Sequence, residues 1–200
     1  FIVLNEKKSA NRYMGKFADL MRMILDQSSK ETVSLEDELK MIQLYLELEA
    51  LRFEEEFNYS LQVDPDIDTL YTFIPAMIVQ PYIENAIKHG LLHKHGNKEL
   101  SVEFKQTDPT YLECKIKDNG IGRKKSLEIN GLRQKKYTSF ATGATQKRLE
   151  LLNQGRKEQI VVSYTDYDEN DFSETGTEVN LKIPLFPAND SQSESSISQI

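Results

Sequence analysis

Apolar side chains recur at helical spacing through residues 8–28, where Tyr13, Phe17, Leu20, Met21, Ile24 and Leu25 fall on neighbouring turns, and the spacing predicts a first helix. Ser34-Leu35-Glu36-Asp37 resembles a capping box, a hydroxyl followed by a carboxylate one turn later, and marks the start of a second helix over 35–54. Leu35, Leu39, Ile42, Leu46 and Phe53 form its apolar stripe, and Met41, Tyr45 and Leu48 broaden it. A helix apolar over so wide a face needs more than one neighbour. The expectation is an antiparallel helical hairpin that pairs with a second copy of the chain.

The period then changes to two. Residues 57–63 alternate and predict a strand, followed by the turn-rich Asp64-Pro65-Asp66-Ile67-Asp68. Pro75 opens a mostly apolar stretch, predicted helical to Leu92. Residues 100–104 and 111–117 predict two strands joined by a turn at Thr107-Asp108-Pro109. Residues 123–142 are polar and unpatterned, 145–155 predict a helix with Leu149 and Leu152 inward, and 160–164 and 179–183 predict closing strands. The stretch from Pro187 on is rich in Ser, Asn and Asp, which predicts a disordered tail. Strands grouped in hairpins imply an α+β fold with an antiparallel or mixed sheet and helices on one face, not a doubly wound sheet. The expected division is a helical hairpin over 1–54, an α/β domain over 55–186 and a tail over 187–200.

The chain has 200 residues, 38% hydrophobic and 28% charged, which suits a water-exposed protein with a real core. No apolar run reaches the roughly 18 residues of a membrane span, so a membrane anchor is expected only in segments upstream of this chain. The net charge of -7 argues against nucleic acid as a partner. Residues 123–136 depart from that balance: Arg123, Lys124, Lys125, Arg133, Lys135 and Lys136 stand against Glu128 alone, a basic island that suits either solvent or a polyanion. Cys114 is the single cysteine and lies on the same strand face as Leu112 and Ile116; it reads as a small core residue, in keeping with a reducing, cytoplasmic setting.

Two runs carry the candidate chemistry. The first is Ile83-Glu84-Asn85-Ala86-Ile87-Lys88-His89-Gly90. At about 100° per residue, Ile83, Ile87 and Leu91 share one face, and Asn85, Lys88 and His89 share the opposite one. An amide oxygen suits Mg²⁺, and ammonium and imidazolium groups donate to phosphate oxygens. The second run is Asp118-Asn119-Gly120-Ile121-Gly122, at the end of a predicted strand. A carboxylate there can accept from an exocyclic amine, and the glycines let the backbone approach a flat ring. By itself the run is equally a turn after a strand, and it is not a Walker A loop. His89 and His93 have helical metal-ligand spacing but lack a cysteine or acidic partner, so zinc is not expected.

Together, Pro81-Tyr82-Ile83-Glu84-Asn85-Ala86-Ile87-Lys88-His89-Gly90, then Asp118 to Gly122, then Gly176-Thr177 before the last strand, resemble the ATP-binding domain of sensor histidine kinases. Leu46-Glu47-Leu48-Glu49-Ala50-Leu51-Arg52-Phe53 resembles the helical region of the LytS-like group. The resemblance runs from about residue 4 to 186. It implies a Bergerat-type α/β sandwich of the gyrase, Hsp90 and histidine-kinase superfamily, Mg-ATP as cofactor, and phosphoryl transfer to a histidine and then to a response regulator. It implies further that Asn85 binds Mg²⁺, that Lys88 and His89 contact phosphates, and that Asp118 takes the adenine amine. Gly120 and Gly122 then shape the pocket, and Thr177 sits near adenine. Residues 123–142 become an ATP lid that ends at Gly143, ahead of the helix bearing Arg148. Glu84 either polarises the nucleophile or fixes its helix.

The departures are specific. Val3-Leu4-Asn5 resembles the end of the phosphoacceptor box, but Ile2 stands where the family has Asn, and no His precedes position 89. The acceptor therefore lies outside this chain or is absent, and a non-catalytic nucleotide-binding dimerisation module is the alternative. ATP hydrolysis of the gyrase or Hsp90 type is disfavoured, because Pro81 occupies the position of those enzymes' glutamate.

Overall fold

In the computed structural model of the chain, which describes residues 2–53, 56–133, 138–167 and 175–186, two helices lead into a mixed sheet. Helix α1 spans Ile2–Ser28 and α2 spans Leu35–Phe53. They run antiparallel: Lys16 pairs with Glu47 near one end, and Gln27 Nε2 donates to the Asp37 carbonyl at 3.1 Å near the other. The Ser34 hydroxyl accepts the Asp37 N–H at 3.2 Å, the capping contact that the sequence implies.

The five-stranded sheet is built from β2 (Phe57–Val63), β4 (Lys98–Asp108), β5 (Tyr111–Asp118), β6 (Val161–Tyr167) and β7 (Gly176–Pro184), in the order β2-β4-β5-β7-β6. Only the β2–β4 pair is parallel. Alternation sorts its two faces. Leu100, Val102, Phe104, Leu112, Cys114, Ile116, Val179, Leu181 and Ile183 are buried, whereas Glu103 pairs opposite Lys115, and Lys117 opposite Glu178, on the outer face. The α2 side chains Leu35, Met41, Ile42 and Leu46 belong to the same core as the sheet. The fold is thus the expected α+β class with a mixed sheet.

Three local expectations are corrected. Pro75 does not open a helix; it ends strand β3 (Phe73–Pro75), which pairs antiparallel with β1 (Thr32–Ser34) between the two helices and buries Ile74. Helix α3 starts at Gln80 (Gln80–Asn85), with Pro81 in the first turn, where its missing N–H costs no hydrogen bond. It continues as a π-helical turn over Ala86–Leu91, closed by Leu92 N–H donating to the Ile87 carbonyl at 2.9 Å. The polar stretch after Asp118 is helical: α4 spans Gly122–Arg133 and α5 spans Thr138–Asn153. Residues 134–137 of the expected lid and the expected tail over 187–200 lie outside the described residues. Among the described residues, no helix is long and apolar enough to cross a membrane.

Candidate nucleotide-binding site

The sheet register sets the site. Asp118 is the last residue of β5, and its neighbours are Leu100 on β4 and Thr177 on β7. Its side chain is 4% exposed and accepts the Gly120 N–H at 2.8 Å through Oδ1. Burial pushes its carboxyl up to about 6, against the pull of the Gly120 and Thr177 backbone N–H groups and of Lys94. The two motifs of the sequence meet here, because Ile121 N–H donates to the Gly90 carbonyl at 3.2 Å. Contact is so close that a Cβ on Gly120 would fall 2.5 Å from the Gly90 carbonyl carbon and 2.6 Å from Asp118 Oδ1. Gly176, at φ +146, lies equally close on the other side: a Cβ there would fall 2.0 Å from the Asp118 carbonyl oxygen.

Above Asp118 opens a cavity of about 530 Å³, within the size range of small-molecule sites. Asn85, His89, Asp118, Gly122 and Thr177 line it, as the resemblance implies. Tyr82, Ala86, Leu127 and Val179 supply apolar wall, and Arg123 and Lys124 bring positive charge from the start of α4. An acceptor on the floor, apolar walls and cations at one side suit a flat, amine-bearing ring with an anionic extension.

The remaining expected residues stand elsewhere. Lys88 is turned away from the cavity, with Nζ 2.5 Å from Glu84 Oε2 and about half its side chain exposed. The π turn explains this: its wider repeat separates Lys88 from the face that Asn85 and His89 share. Glu84 lies beside Lys88, and its Oε1 is 3.5 Å from Gln80 Nε2. Gly120 packs beneath Asp118 rather than lining the cavity. Gly143 is exposed inside α5, not ahead of a helix, and nothing lies within 4 Å of where its Cβ would be. His89 lines the cavity with a lowered pKa, through burial first and then the charges of His93 and Lys88, which disfavours its charged form.

Sequence reasoning missed one wall. Arg123 makes a two-point pair with Asp166, Nε to Oδ1 at 2.8 Å and Nη2 to Oδ2 at 2.6 Å, and its guanidinium lies 4.5 Å from the Tyr164 ring centroid. All three line the cavity. Tyr164 and Asp166 alternate on β6 in a way that no motif marks; the basic island contained Arg123 without indicating its partner.

The pH dependence of ligand affinity follows from Asp118. A ring amine needs an acceptor, and a protonated carboxyl gives up part of that capacity. With the carboxyl at about 6, affinity for an amine-bearing ring is expected to be flat above pH 7 and to fall by up to about tenfold per pH unit below 6. Titrations between pH 5 and 8 read this directly, and the Asp118→Asn variant should lose the dependence.

Residues 1–57 match the family model described as histidine kinase. The sensor protein LytS of Staphylococcus epidermidis is 26% identical over 183 residues, covering 92% of this chain and 30% of that protein. LytS of Staphylococcus saprophyticus is 28% identical over 192 residues, covering 95% of this chain and 31% of that protein. This chain therefore spans about a third of the length of those relatives. Among solved structures, the histidine kinase domain from the Erythrobacter litoralis EL346 blue-light activated histidine kinase shares the fold with a TM-score of 0.54 at 15% identity, over 86% of this chain and 75% of that one.

Proposed function

We propose, from a chain related to the LytS-like sensor histidine kinases over most of its length, that it is the ATP-binding and helical-hairpin portion of such a kinase. It takes Mg-ATP into the 530 Å³ cavity and passes the γ-phosphoryl group to a histidine, from which a response-regulator aspartate receives it. The observation that carries this reading is Asp118, a nearly buried carboxylate that faces the cavity between glycines packed against it. In a cavity with apolar walls, an acceptor in that position orients an adenine by its exocyclic amine, and Thr177 lies beside it in the sheet.

Asn85 presents an amide oxygen on the cavity wall and would hold Mg²⁺ there. The ion supplies charge neutralisation to the phosphates. The His89 N–H donates to a phosphate oxygen, and Lys88 exchanges its exposed contact with Glu84 for another. Glu84 on this reading positions Lys88 and the helix. Gly122 lets α4 begin at the cavity, which brings Arg123 and Lys124 to the anionic end. On this reading the receiving histidine is none of His89, His93 and His95, which lie on and just after the nucleotide helix.

The hairpin supports association with a second copy. Tyr13, Phe17, Met21 and Leu25 form an exposed apolar stripe on α1, spaced by one helical turn. Ile2, standing where the family has Asn, favours one second reading, a nucleotide-binding dimerisation module without transfer. The deciding experiment incubates γ-labelled Mg-ATP with an N-terminally extended form of the chain. Acid-labile, base-stable label on the protein, passed on to a response-regulator receiver domain, is the expected result. Nucleotide binding with no label on either protein would leave the module reading in its place.

A further inference from the structure

We infer that Glu38 of α2 is a positioning residue for the nucleotide-binding helix, clamping the turn over 76–79 from which α3 springs. The inference rests on the reading of Asn85 and His89 as ligand contacts. Glu38 is fully buried, and its two oxygens accept separate backbone N–H groups: Oε2 from Met77 at 3.0 Å and Oε1 from Val79 at 3.3 Å. Met77 has φ 54, the one positive φ at a non-glycine among the described residues, in a region that L side chains avoid. Val79 precedes α3 and has no capping side-chain bond of its own. Glu38 thus supplies from another helix the acceptors that hold this turn.

The same turn is tied down from two further directions. Ala76 N–H donates to the Glu31 carbonyl at 3.1 Å, beside the β1–β3 pairing. In addition, the Arg148 guanidinium on α5 donates to the Ala76 carbonyl. The segment that sets the start of α3 is therefore gripped by the helical hairpin and by the helix after the basic stretch. A carboxylate is an expensive group to bury, and burial pushes this one up to about 7 against the pull of Met77, Val79 and Arg148. An apolar side chain would fill the volume at α2 without that penalty, but it could not satisfy two converging N–H donors.

The test uses the whole chain and needs no ligand for its first reading. In Glu38→Gln, one of the two acceptors becomes an amide donor that opposes an N–H. Hydrogen exchange of backbone amides over 76–91 is expected to quicken about tenfold or more, while β4 and β5 exchange as in the wild type. ATP affinity is expected to fall about tenfold alongside. Adding Met77→Gly removes the backbone strain that the clamp restrains, and should recover at least about half of both losses on a logarithmic scale. If Glu38→Gln does not fold, Glu38→Asp, too short to reach both N–H groups, gives the same two readings. Exchange over 76–91 within about twofold of wild type, quickening spread evenly over the chain, or no recovery with Met77→Gly overturns the inference. If the wild type binds no ATP, the functional reading fails, and the exchange data still decide the role of Glu38.

Discussion

Replacing Asp118 with alanine is expected to weaken ATP binding by about 100-fold or more, because the adenine amine loses a nearly buried acceptor on the cavity floor. The corresponding loss is about 3 kcal/mol, typical of leaving a buried polar partner unmet. Stability should move little. Burial raises the carboxyl to about 6, so its removal relieves a desolvation penalty while leaving the Gly120 and Thr177 N–H groups without their acceptor. Calorimetric titration with Mg-ATP, with thermal unfolding in parallel, separates the two effects. Unchanged affinity would show that Asp118 is only the turn residue that its Asp-Asn-Gly context also permits.

Asn85→Ala should have the second large effect, and of a different kind. Asn85 is half-buried on the cavity wall, and no hydrogen bond to another part of the chain holds it there among the described residues. Its loss should leave the fold intact, remove most of the Mg²⁺ dependence of ATP binding, and slow phosphoryl transfer by about 100-fold or more, as expected when one preorganised electrostatic contact is deleted. Titrations with and without the metal, and initial rates of label transfer, measure both. A variant whose binding still responds fully to Mg²⁺ would remove Asn85 from the metal site.

The two halves of the site were not equally legible in the sequence. Asp118 could be read because a strand with clean alternation ends on it and glycines follow, and the structure buries it at that strand end. The apolar face of α3 was readable for the same reason, and Ile83, Ile87 and Leu91 are all fully buried. The π turn was not, since a uniform helical repeat assigns Lys88 to the cavity and the wider turn carries it out to Glu84. Strands β1 and β3, three residues each, are too short to show a period, so the pattern around Pro75 reads as a helix start. Helix α4 is polar almost throughout and exposes Leu127, leaving no stripe to detect. The Arg123–Asp166 pair joins residues far apart in the chain through geometry alone. Glu38 was invisible for a related reason: on paper it is one more acid in the first turn of α2, and only the returning turn at Met77 shows what it faces.

These losses share a cause. Periodicity reports which face of an element is buried; it does not report which distant backbone group meets a polar side chain there. The residues that carry a motif could be assigned before the fold was known, whereas those that hold the motif in place could not.

The most direct test of the central claim is a calorimetric titration of the wild-type chain with ATP, first in Mg²⁺ and then with the metal chelated. Saturable binding of one ATP per chain that weakens when the metal is removed is the predicted result. Absence of saturable binding in Mg²⁺, with the protein shown to be folded in the same buffer, would contradict it.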